Sequence, residues 1–292
     1  MQPQQPLLTI GVPVFNGARF LRQCLDSLLS QSFTDFTLVI SDNASTDDTR
    51  DIAESYARTD RRVRYHRHPK NIGMYPNLNF VLRWAESKYV KLATADDCWS
   101  PSMVGDTIRQ LESDPSIALC YPMMTMIDSD GNNTARYEYR LHLTESDPVT
   151  RFRRVLSEIR LVNQLNGVIR TDVVRRMLPL LAHTVGDRIF VAELSLYGKI
   201  FHLDEYQYFR RFHEKSSSYS RDSEAHQVAY VFAGGAKTLR YEAWKYHFAL
   251  LRRVARSPLR PIEKTKLLAT LLRGAVWDRH RLARDLLTAV RS

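Results

Sequence analysis

Residues 38–47 of the chain read Leu38-Val39-Ile40-Ser41-Asp42-Asn43-Ala44-Ser45-Thr46-Asp47. An apolar run that leads directly into a loop of small and polar residues is typical of a buried strand that ends in a turn. The same order occurs at two further places in the first hundred residues. The corresponding loops read Pro13-Val14-Phe15-Asn16 and Ala93-Thr94-Ala95-Asp96-Asp97. The sequence therefore predicts three buried strands that each end in a polar loop.

Helical patterns separate the predicted strands. Apolar residues recur at helical spacing from Leu21 to Leu29, and Ser45 to Asp47 supply the polar start of the next helix. In the first half, strands are expected at 7–12, 36–40, 63–66, 89–92 and 117–121, and helices at about 47–58, at 76–85 and from Pro101. This alternation predicts an α/β fold with a doubly wound, mostly parallel sheet. Ligands of such sheets bind outside the carboxyl ends of the strands.

The second half of the chain is less regular. Helices are expected at 150–159, 172–181 and 188–197, strands at 200–203 and 206–210, and further helices after residue 222. We expect one main domain over 1–222, which divides near residue 130. A basic helical segment, 223–292, follows it.

Charge is concentrated in that C-terminal segment. The 292-residue chain has a net charge of +10, and from Ser223 onward 14 Lys and Arg stand against 5 Asp and Glu. Such a surplus favours an anionic partner, either membrane phospholipid or nucleic acid, although a solvated helix face explains it as well. No RNP, KH or zinc-finger pattern occurs, so no nucleic acid partner is expected. No apolar run of 18 residues and no signal region are present, which favours a cytoplasmic location, with the inner membrane face as an alternative.

The C-terminal segment also contains apolar residues at helical spacing. Leu267, Leu271 and Leu272 are examples, with Lys and Arg between such positions. Helices of this kind suit an anionic membrane surface, a homodimer interface or packing against the domain 1–222. The sequence leaves these three alternatives open.

Asp96 and Asp97 follow the fourth predicted strand. Adjacent carboxylates repel each other, so both stay ionised only with solvent, hydrogen-bond donors or a cation nearby. A divalent ion held by one or two carboxylates and by substrate phosphates is the usual arrangement for magnesium. The alternative is an acidic pair that the dipole of the helix near Pro101 stabilises.

Asp42 ends the second predicted strand. Its carboxylate can accept a hydrogen bond from an N–H of a bound base, and uracil and thymine present such a group. The alternative is that Asp42 organises the turn formed by Ser41 to Thr46.

Taken together, these segments resemble family 2 glycosyltransferases. The P-x-Y-N, Q-x-x and D-D-x-S-x-D patterns of that family correspond to Pro13–Asn16, Gln31–Phe33 and the 38–47 segment. Asn71-Ile72-Gly73 resembles the N-x-G after the third strand, and residues 88–97 resemble the segment G-x-Y-x-x-x-L-D-x-D-D. The resemblance covers residues 7–130 in order and spacing. It implies the GT-A fold, a nucleotide-diphospho-sugar donor and inversion at the anomeric carbon. The domain 1–222 would then be catalytic, with 1–130 as its nucleotide-binding half and 131–222 as its acceptor and catalytic half.

The resemblance also implies roles for individual residues. Asp42 would contact the base, Asp96 would bind a divalent cation (Mn²⁺ or Mg²⁺), and Asp97 would lie beside them. The sequence departs from the family at two positions, because Ser41 and Thr94 replace aspartates. Metal binding therefore depends on Asp96, while the Thr94 hydroxyl suits ribose. The nucleotide-binding set is Pro13, Phe15, Asn16, Asp42, Asn71, Thr94, Ala95 and Asp96.

Two later segments extend the resemblance. Asp187, in Gly186-Asp187-Arg188, corresponds to the family's catalytic carboxylate, which would take the proton of the acceptor hydroxyl. The alternative is an N-cap of the helix that follows. Residues 209–218 resemble the Y-R-x-H and serine-rich loop of the family, in which His213 would complete the metal ligands. Arg210, Arg211 and Lys215 would neutralise the leaving diphosphate, unless these charges belong to an ordinary surface loop.

The sequence thus predicts an inverting glycosyltransferase that uses a UDP- or dTDP-sugar, in cell-surface polysaccharide or glycolipid synthesis. The acceptor is an unidentified sugar or lipid-linked molecule, and Trp99 is the one residue expected to stack on it, with burial in the core as the alternative. A non-catalytic nucleotide-sugar binding protein of the same fold is the main rival, favoured by the missing aspartates at 41 and 94. P-loop and Rossmann enzymes are excluded, because neither G-x-x-x-x-G-K nor G-x-G-x-x-G occurs.

Overall fold

A computed structural model describes residues 5–214 and 241–290 of the chain. Its first part alternates strands and helices as expected. The elements are β1 (Leu8–Val14), α1 (Ala18–Leu29), β2 (Phe36–Asp42), α2 (Thr49–Thr59), β3 (Val63–Arg67), α3 (Met74–Trp84), β4 (Tyr89–Leu92), β5 (Cys98–Trp99), α4 (Met103–Ser113) and β6 (Ile117–Ile127).

The second part adds shorter strands and most of the remaining helices. The elements are β7 (Asn133–Tyr137), α5 (Pro148–Glu158), β8 (Val168–Arg170), α6 (Thr171–Met177), α7 (Gly186–Tyr197), β9 (Lys199–Arg211), α8 (Glu242–Arg256), α9 (Pro261–Trp277) and α10 (Arg279–Val290). A single 3₁₀ turn at Gln164–Asn166 precedes β8.

One curled sheet connects the two parts. The strand order is β3-β2-β1-β4-β8-β6-β9-β5, and β7 pairs with β6. Strands β1 to β4 are parallel to one another, and β8 is antiparallel to both β4 and β6. This arrangement confirms the predicted mixed α/β, GT-A type sheet with helices at its C-terminal end. The carboxyl ends of β1, β2 and β4 therefore meet at one edge of the sheet.

The first strand shows why the sheet and its helices pack closely. Leu8, Ile10 and Val12 are completely buried, and so are the apolar residues of α1 that recur at helical spacing. Gly11 lies between them, and a Cβ atom added to it would lie 1.9 Å from Val81 Cγ1. Helix α3 thus packs directly on the backbone of β1, an approach that only glycine allows.

The structure corrects two details of the predicted elements. Strands β5, β7 and β8 are two to five residues long and antiparallel to their neighbours, and their short runs were not predicted. The two strands expected at 200–203 and 206–210 are one strand, β9. The exposed acidic residues Asp204 and Glu205, which suggested a break, lie where the register between β9 and β6 shifts. A local irregularity therefore accommodates them within a continuous strand.

Helices α8 and α9 pack against α7 and α5. Leu250, Val254 and Leu267 belong to the same apolar cluster as Val191 of α7. One face of each of these helices therefore packs against the preceding domain, which is the third of the alternatives that the sequence left open. The expected boundary at 222 lies outside the described residues and stays a proposal.

A buried ion pair joins α8 to α7. Arg253 Nη1 lies 3.1 Å from Glu193 Oε2, and the guanidinium also donates to the carbonyl oxygens of Met177 and Pro179. Burial raises the pKa of Glu193 to about 7, although Arg253 favours the ionised carboxylate. In residues 5–214 and 241–290, no helix is long and apolar enough to cross a membrane.

Candidate active site

The three polar loops predicted from the sequence meet at the carboxyl edge of the sheet. Pro13 pairs with Ser41 and Val14 with Asp42 in the parallel register of β1 and β2. The Asn43 N–H donates to the Val14 carbonyl over 2.8 Å, and the Ala93 N–H donates to Gly11 over the same distance. Backbone pairing alone therefore brings the loops after β1, β2 and β4 side by side.

Asn16 ties the first loop to the second. Its backbone adopts a left-handed conformation with φ of 51°, which asparagine tolerates better than most residues. Its N–H donates to Ser45 Oγ (2.9 Å), and its side-chain carbonyl accepts from the Thr46 N–H (2.8 Å). The neighbouring Phe15 ring is left half exposed at this junction. An exposed aromatic ring at the edge of the sheet is available to a bound base.

Asp42 lies completely buried at the end of β2. One carboxylate oxygen accepts from the Ser45 N–H (2.8 Å), and the other accepts from the Tyr65 hydroxyl (2.7 Å) and Arg67 Nη1 (2.9 Å). Burial and the nearby carboxylate raise the pKa of Tyr65 to about 12. Asp42 therefore does organise the turn, because three donors engage both of its oxygens, and its contact with a base stays a proposal.

Sequence reasoning missed Tyr65 and Arg67. They occupy alternate positions on β3, so both side chains point to the same face of the sheet as Asp42. A tyrosine and an arginine two residues apart on an edge strand were the only signal available.

Asn71 helps to form the loop before α3. Its side-chain carbonyl accepts from Asn43 Nδ2 (2.8 Å) and from the Gly73 N–H (2.9 Å). Asn43 in turn accepts from the Ile72 N–H (2.8 Å), so the loops after β2 and β3 are joined in both directions. Gly73 has a φ of 90°, which explains the glycine in the motif. Asn43 is a second residue of this junction that the sequence did not single out.

Ser41, the first departure from the family pattern, does not face the edge of the sheet. It is completely buried, and its hydroxyl donates to Asn77 Oδ1 (2.5 Å) and lies 3.2 Å from His68 Nε2. The serine thus belongs to a polar network beneath the loop. Its replacement of an aspartate removes no carboxylate from the exposed edge.

Asp97 is the buried member of the acidic pair. It accepts hydrogen bonds from the Tyr208 hydroxyl (2.6 Å), the Arg211 N–H (2.8 Å) and the Thr94 hydroxyl. Burial and the charge of Asp96 raise the pKa of Asp97 to about 7. Asp97 holds the loop against β9, and Thr94 donates to it instead of standing free.

Asp96 is the open member of the pair, with 31% of its side chain exposed. Its Oδ2 atom lies 3.2 Å from His213 Nε2, and the imidazole packs at 4.9 Å from the Phe20 ring. The two predicted metal ligands, 117 residues apart in the chain, are thus neighbours in space. Within the described ranges, no group of three or more His, Cys, Asp and Glu is arranged to hold a metal ion.

Arg211 was predicted to face the diphosphate, and the structure corrects this role. Only 2% of the residue is exposed. Its guanidinium donates to the carbonyls of Asp96, Asp128 and Ser129 and to the Gln23 side chain, at 2.6–3.0 Å. These acceptors use its donors, so Arg211 fixes the Asp96 loop from beneath. Lys215 lies outside the described residues.

Arg210 differs from its neighbour. It is only partly buried, donates to Asn163 Oδ1 (2.9 Å) and lies 5.6 Å from the Phe212 ring. Arg210 is thus the more exposed of the two arginines, and its diphosphate role stays a proposal.

Trp99 is the second correction. The residue is 3% exposed and stacks on Tyr208, with ring centroids 5.8 Å apart. The buried ammonium of Lys91 lies 4.2 Å from its ring, and burial lowers the pKa of that lysine to about 7. Trp99 is therefore packed in the core, as the alternative interpretation held. Its ring has no free face for an acceptor sugar.

Asp187 lies in the first turn of α7, partly buried. Its Oδ1 atom accepts from the Arg188 N–H (2.8 Å), whereas the N-cap of the helix is Val185. The N-cap alternative for Asp187 is therefore wrong in position, although the carboxylate still lies at the positive end of the helix dipole.

The start of α7 is held against α3. A Cβ atom on Gly186 would lie 2.3 Å from the Tyr75 hydroxyl oxygen, which donates to the His183 carbonyl (2.8 Å). His183 Nε2 also lies 3.0 Å from the Glu242 carbonyl oxygen of α8. Tyr75 follows Asn71 by four residues, so α3 links the loops after β2 and β3 to the helix that begins at Gly186 and Asp187.

Comparison with known proteins agrees with this geometry. The family model "Glycosyl transferase family 2" matches residues 9–177. Chondroitin synthase of Escherichia coli is 32% identical over 127 residues, which cover 44% of this chain and 18% of that protein. The putative teichuronic acid biosynthesis glycosyltransferase TuaG of Bacillus subtilis (strain 168) is 28% identical over 144 residues, 49% of this chain and 55% of that protein. The chain thus spans about half of TuaG and less than a fifth of chondroitin synthase.

A solved structure shows the same fold over most of the chain. The crystal structure of S. aureus TarS 1-349 in complex with UDP-GlcNAc superposes with a TM-score of 0.67 at 18% identity. The superposition covers 91% of this chain and 71% of the other. The matched part therefore extends beyond the family model into the second half of the sheet.

Proposed function

This chain belongs to glycosyl transferase family 2, and we propose that it transfers a sugar from a UDP- or dTDP-sugar to an acceptor with inversion at the anomeric carbon. The proposal is supported most by the pair formed by Asp96 and His213, whose Oδ2 and Nε2 atoms are 3.2 Å apart at the ligand-binding edge of the sheet. A carboxylate and an imidazole are reasonable ligands for one divalent cation.

The residues present fit a metal bound together with its nucleotide. Asp96 and His213 supply two ligands, and Mg²⁺ or Mn²⁺ would take the others from diphosphate oxygens and water. The cation would neutralise the charge that develops on the leaving diphosphate. Arg210 would add a positive charge on the same side, while Arg211 and Asp97 keep the Asp96 loop in place.

The base would bind between the loops after β1 and β2. Asp42 is held by Ser45, Tyr65 and Arg67, so its orientation is fixed before any nucleotide arrives. Phe15 offers a ring for stacking, and Pro13, Asn16 and Asn71 shape the loops around it. Thr94 and Ala95, in the loop after β4, would lie next to the ribose. The TarS structure that shares this fold contains UDP-GlcNAc, which supports a uridine donor.

Asp187 would act as the general base. An inverting displacement needs a group that takes the acceptor proton on the face opposite the leaving diphosphate. The helix dipole favours the ionised carboxylate that this role requires. Tyr75 and Gly186 fix the start of α7 against α3. The loop that contains Asn71 comes directly before α3, so Asp187 is connected to that loop through this helix.

The acceptor would belong to a polysaccharide or glycolipid. Relatives named chondroitin synthase and putative teichuronic acid biosynthesis glycosyltransferase support a polysaccharide acceptor.

A thermal-shift panel tests the donor. UDP, dTDP, GDP and CDP sugars should be compared with Mn²⁺, with Mg²⁺ and with EDTA. We expect stabilisation by uridine or thymidine diphosphate sugars, larger with metal than with EDTA. A preference for GDP or CDP sugars would contradict the base assignment. Slow hydrolysis of the preferred donor, measured as nucleotide release, separates an enzyme from a binding protein of the same fold.

A further inference from the structure

The C-terminal helices expose an apolar surface that no described residue covers. Helix α9 buries one face, formed by Glu263, Leu267 and Leu271, against the protein. Residues at a spacing of three and four on the opposite face form an outer stripe: Ile262, Thr265, Ala269, Leu272 and Val276. Helix α9 is thus apolar on two opposite faces, of which packing explains only the inner one.

Large apolar side chains are exposed on the outer stripe and elsewhere on the three C-terminal helices. Leu272 is 61% exposed, Val276 is 62% exposed, and Trp277 at the end of α9 is 79% exposed. Phe248 on α8 and Leu286 and Leu287 on α10 are also exposed. Among soluble surfaces, so many large apolar side chains on neighbouring helices indicate an interaction site.

Positive charge borders this apolar surface. Over residues 241–290 eleven Lys and Arg stand against four Asp and Glu. Lys266 and Arg273 lie along one edge of the stripe, next to Trp277 on the helical wheel, and both are exposed. The acidic residues are engaged elsewhere, for example Glu263 with Arg260 and Asp278 with His247.

We propose that this surface, α9 with the adjoining parts of α8 and α10, binds an anionic phospholipid bilayer in its interface plane. An apolar stripe with a terminal tryptophan and flanking cations is the arrangement that suits acyl chains below and anionic headgroups above. A second copy of the chain fits less well. A two-fold interface centred on the stripe would bring Lys266 and Arg273 toward their own symmetry mates, where like charges repel.

This surface lies on the half of the molecule that contains Asp187. Helix α8 packs on α7 through Arg253 and Glu193, and Glu242 at its start contacts His183 just before α7. Binding through α9 would therefore hold the acceptor half at the membrane surface. A lipid-linked acceptor would be reached there without release from the bilayer.

Co-sedimentation of the full chain with vesicles tests the proposal. Phosphatidylcholine vesicles with and without phosphatidylglycerol should be compared at low and high salt. We expect binding only with phosphatidylglycerol, weakened by salt. Trp277→Ala should weaken binding about tenfold, whereas Trp84→Ala, which removes an exposed tryptophan from α3, should leave it unchanged.

The charge contribution has its own matched pair. The double variant Lys266→Gln/Arg273→Gln should weaken vesicle binding about fivefold for each cation removed. The control double variant Arg58→Gln/Arg109→Gln, on helices α2 and α4, should leave vesicle binding unchanged. A chain that stays in the supernatant with anionic vesicles at low salt would overturn the proposal. Light scattering that shows a dimer, converted to a monomer by Trp277→Ala, would overturn it in favour of a second copy.

Discussion

The ligand-binding edge of the sheet and the C-terminal helices reach their positions in different ways. At the edge, parallel strand register and backbone hydrogen bonds bring residues 13–16, 41–47 and 93–97 together. The C-terminal helices are held by side chains instead, namely buried leucines and the pair of Arg253 with Glu193. Polar groups at strand ends therefore follow from topology, whereas docked helices depend on individual packing contacts.

Neighbouring residues show the same contrast at smaller scale. Arg211 is buried under the Asp96 loop, while Arg210 on the other face of β9 is partly open. Arg253 is buried between α8 and α7, while Arg252 faces solvent. In each pair the two arginines are adjacent in the chain, but they point to different sides of the strand or helix and so differ in burial. These pairs supply matched variants.

The largest effect is expected at Asp187, which tests whether the second half contributes chemistry as well as packing. Asp187→Asn should slow sugar transfer by about 10²–10⁴-fold, because the amide cannot take the acceptor proton. Donor affinity should be unchanged, since Asp187 is not among the residues proposed to hold the base, the diphosphate or the metal. Single-turnover transfer and calorimetric donor affinity measure the two quantities.

The control is Asp172→Asn, which alters an exposed first-turn aspartate of α6. It should transfer at the rate of the unmodified chain. Transfer by Asp187→Asn at that same rate would make Asp187 a residue of the helix start only. If Asp187→Asn also lost donor binding, Asp187 would have a structural role and not a catalytic one.

Much of the fold and the ligand-binding edge followed from the sequence. Apolar runs that end in polar loops are local patterns, and parallel pairing then forces the loops together, so Asp42, Asp96 and Asn16 could be found. Trp99 and Arg211 could not be placed. Trp99 stacks on Tyr208 and Arg211 contacts Gln23, partners that are distant in the chain. The pairing of Asp96 with His213 came from the family resemblance, not from spacing.

The second effect concerns stability and the docking of α8. Arg253→Met should lower the free energy of unfolding by about 3–5 kcal/mol, because it leaves Glu193 buried without its partner. The loss should be greatest above about pH 7, where Glu193 is ionised. Arg252→Met, the exposed neighbour, should change stability by less than about 0.5 kcal/mol. Equal losses in urea unfolding would contradict the structural contrast between the two arginines.

A smaller effect is expected in the donor region. Asp42→Asn should weaken UDP binding by about 1.5–3 kcal/mol, because a charge-assisted hydrogen bond to the base is lost. Tyr65→Phe removes only one internal donor to Asp42 and should weaken binding much less. Circular dichroism checks that both variants fold. Unchanged calorimetric affinity in Asp42→Asn would leave the residue with its turn-forming role alone.

The most direct test of the proposed donor site is a calorimetric titration of UDP with Mn²⁺ and with EDTA. We expect Mn²⁺ to raise UDP affinity about tenfold or more, because Asp96 and His213 bind the ion together with the diphosphate. Asp96→Asn and His213→Ala should each abolish this gain and leave the affinity in EDTA unchanged. Equal affinity for UDP with Mn²⁺ and with EDTA in the unmodified chain would contradict a metal-assisted nucleotide site at the edge of the sheet.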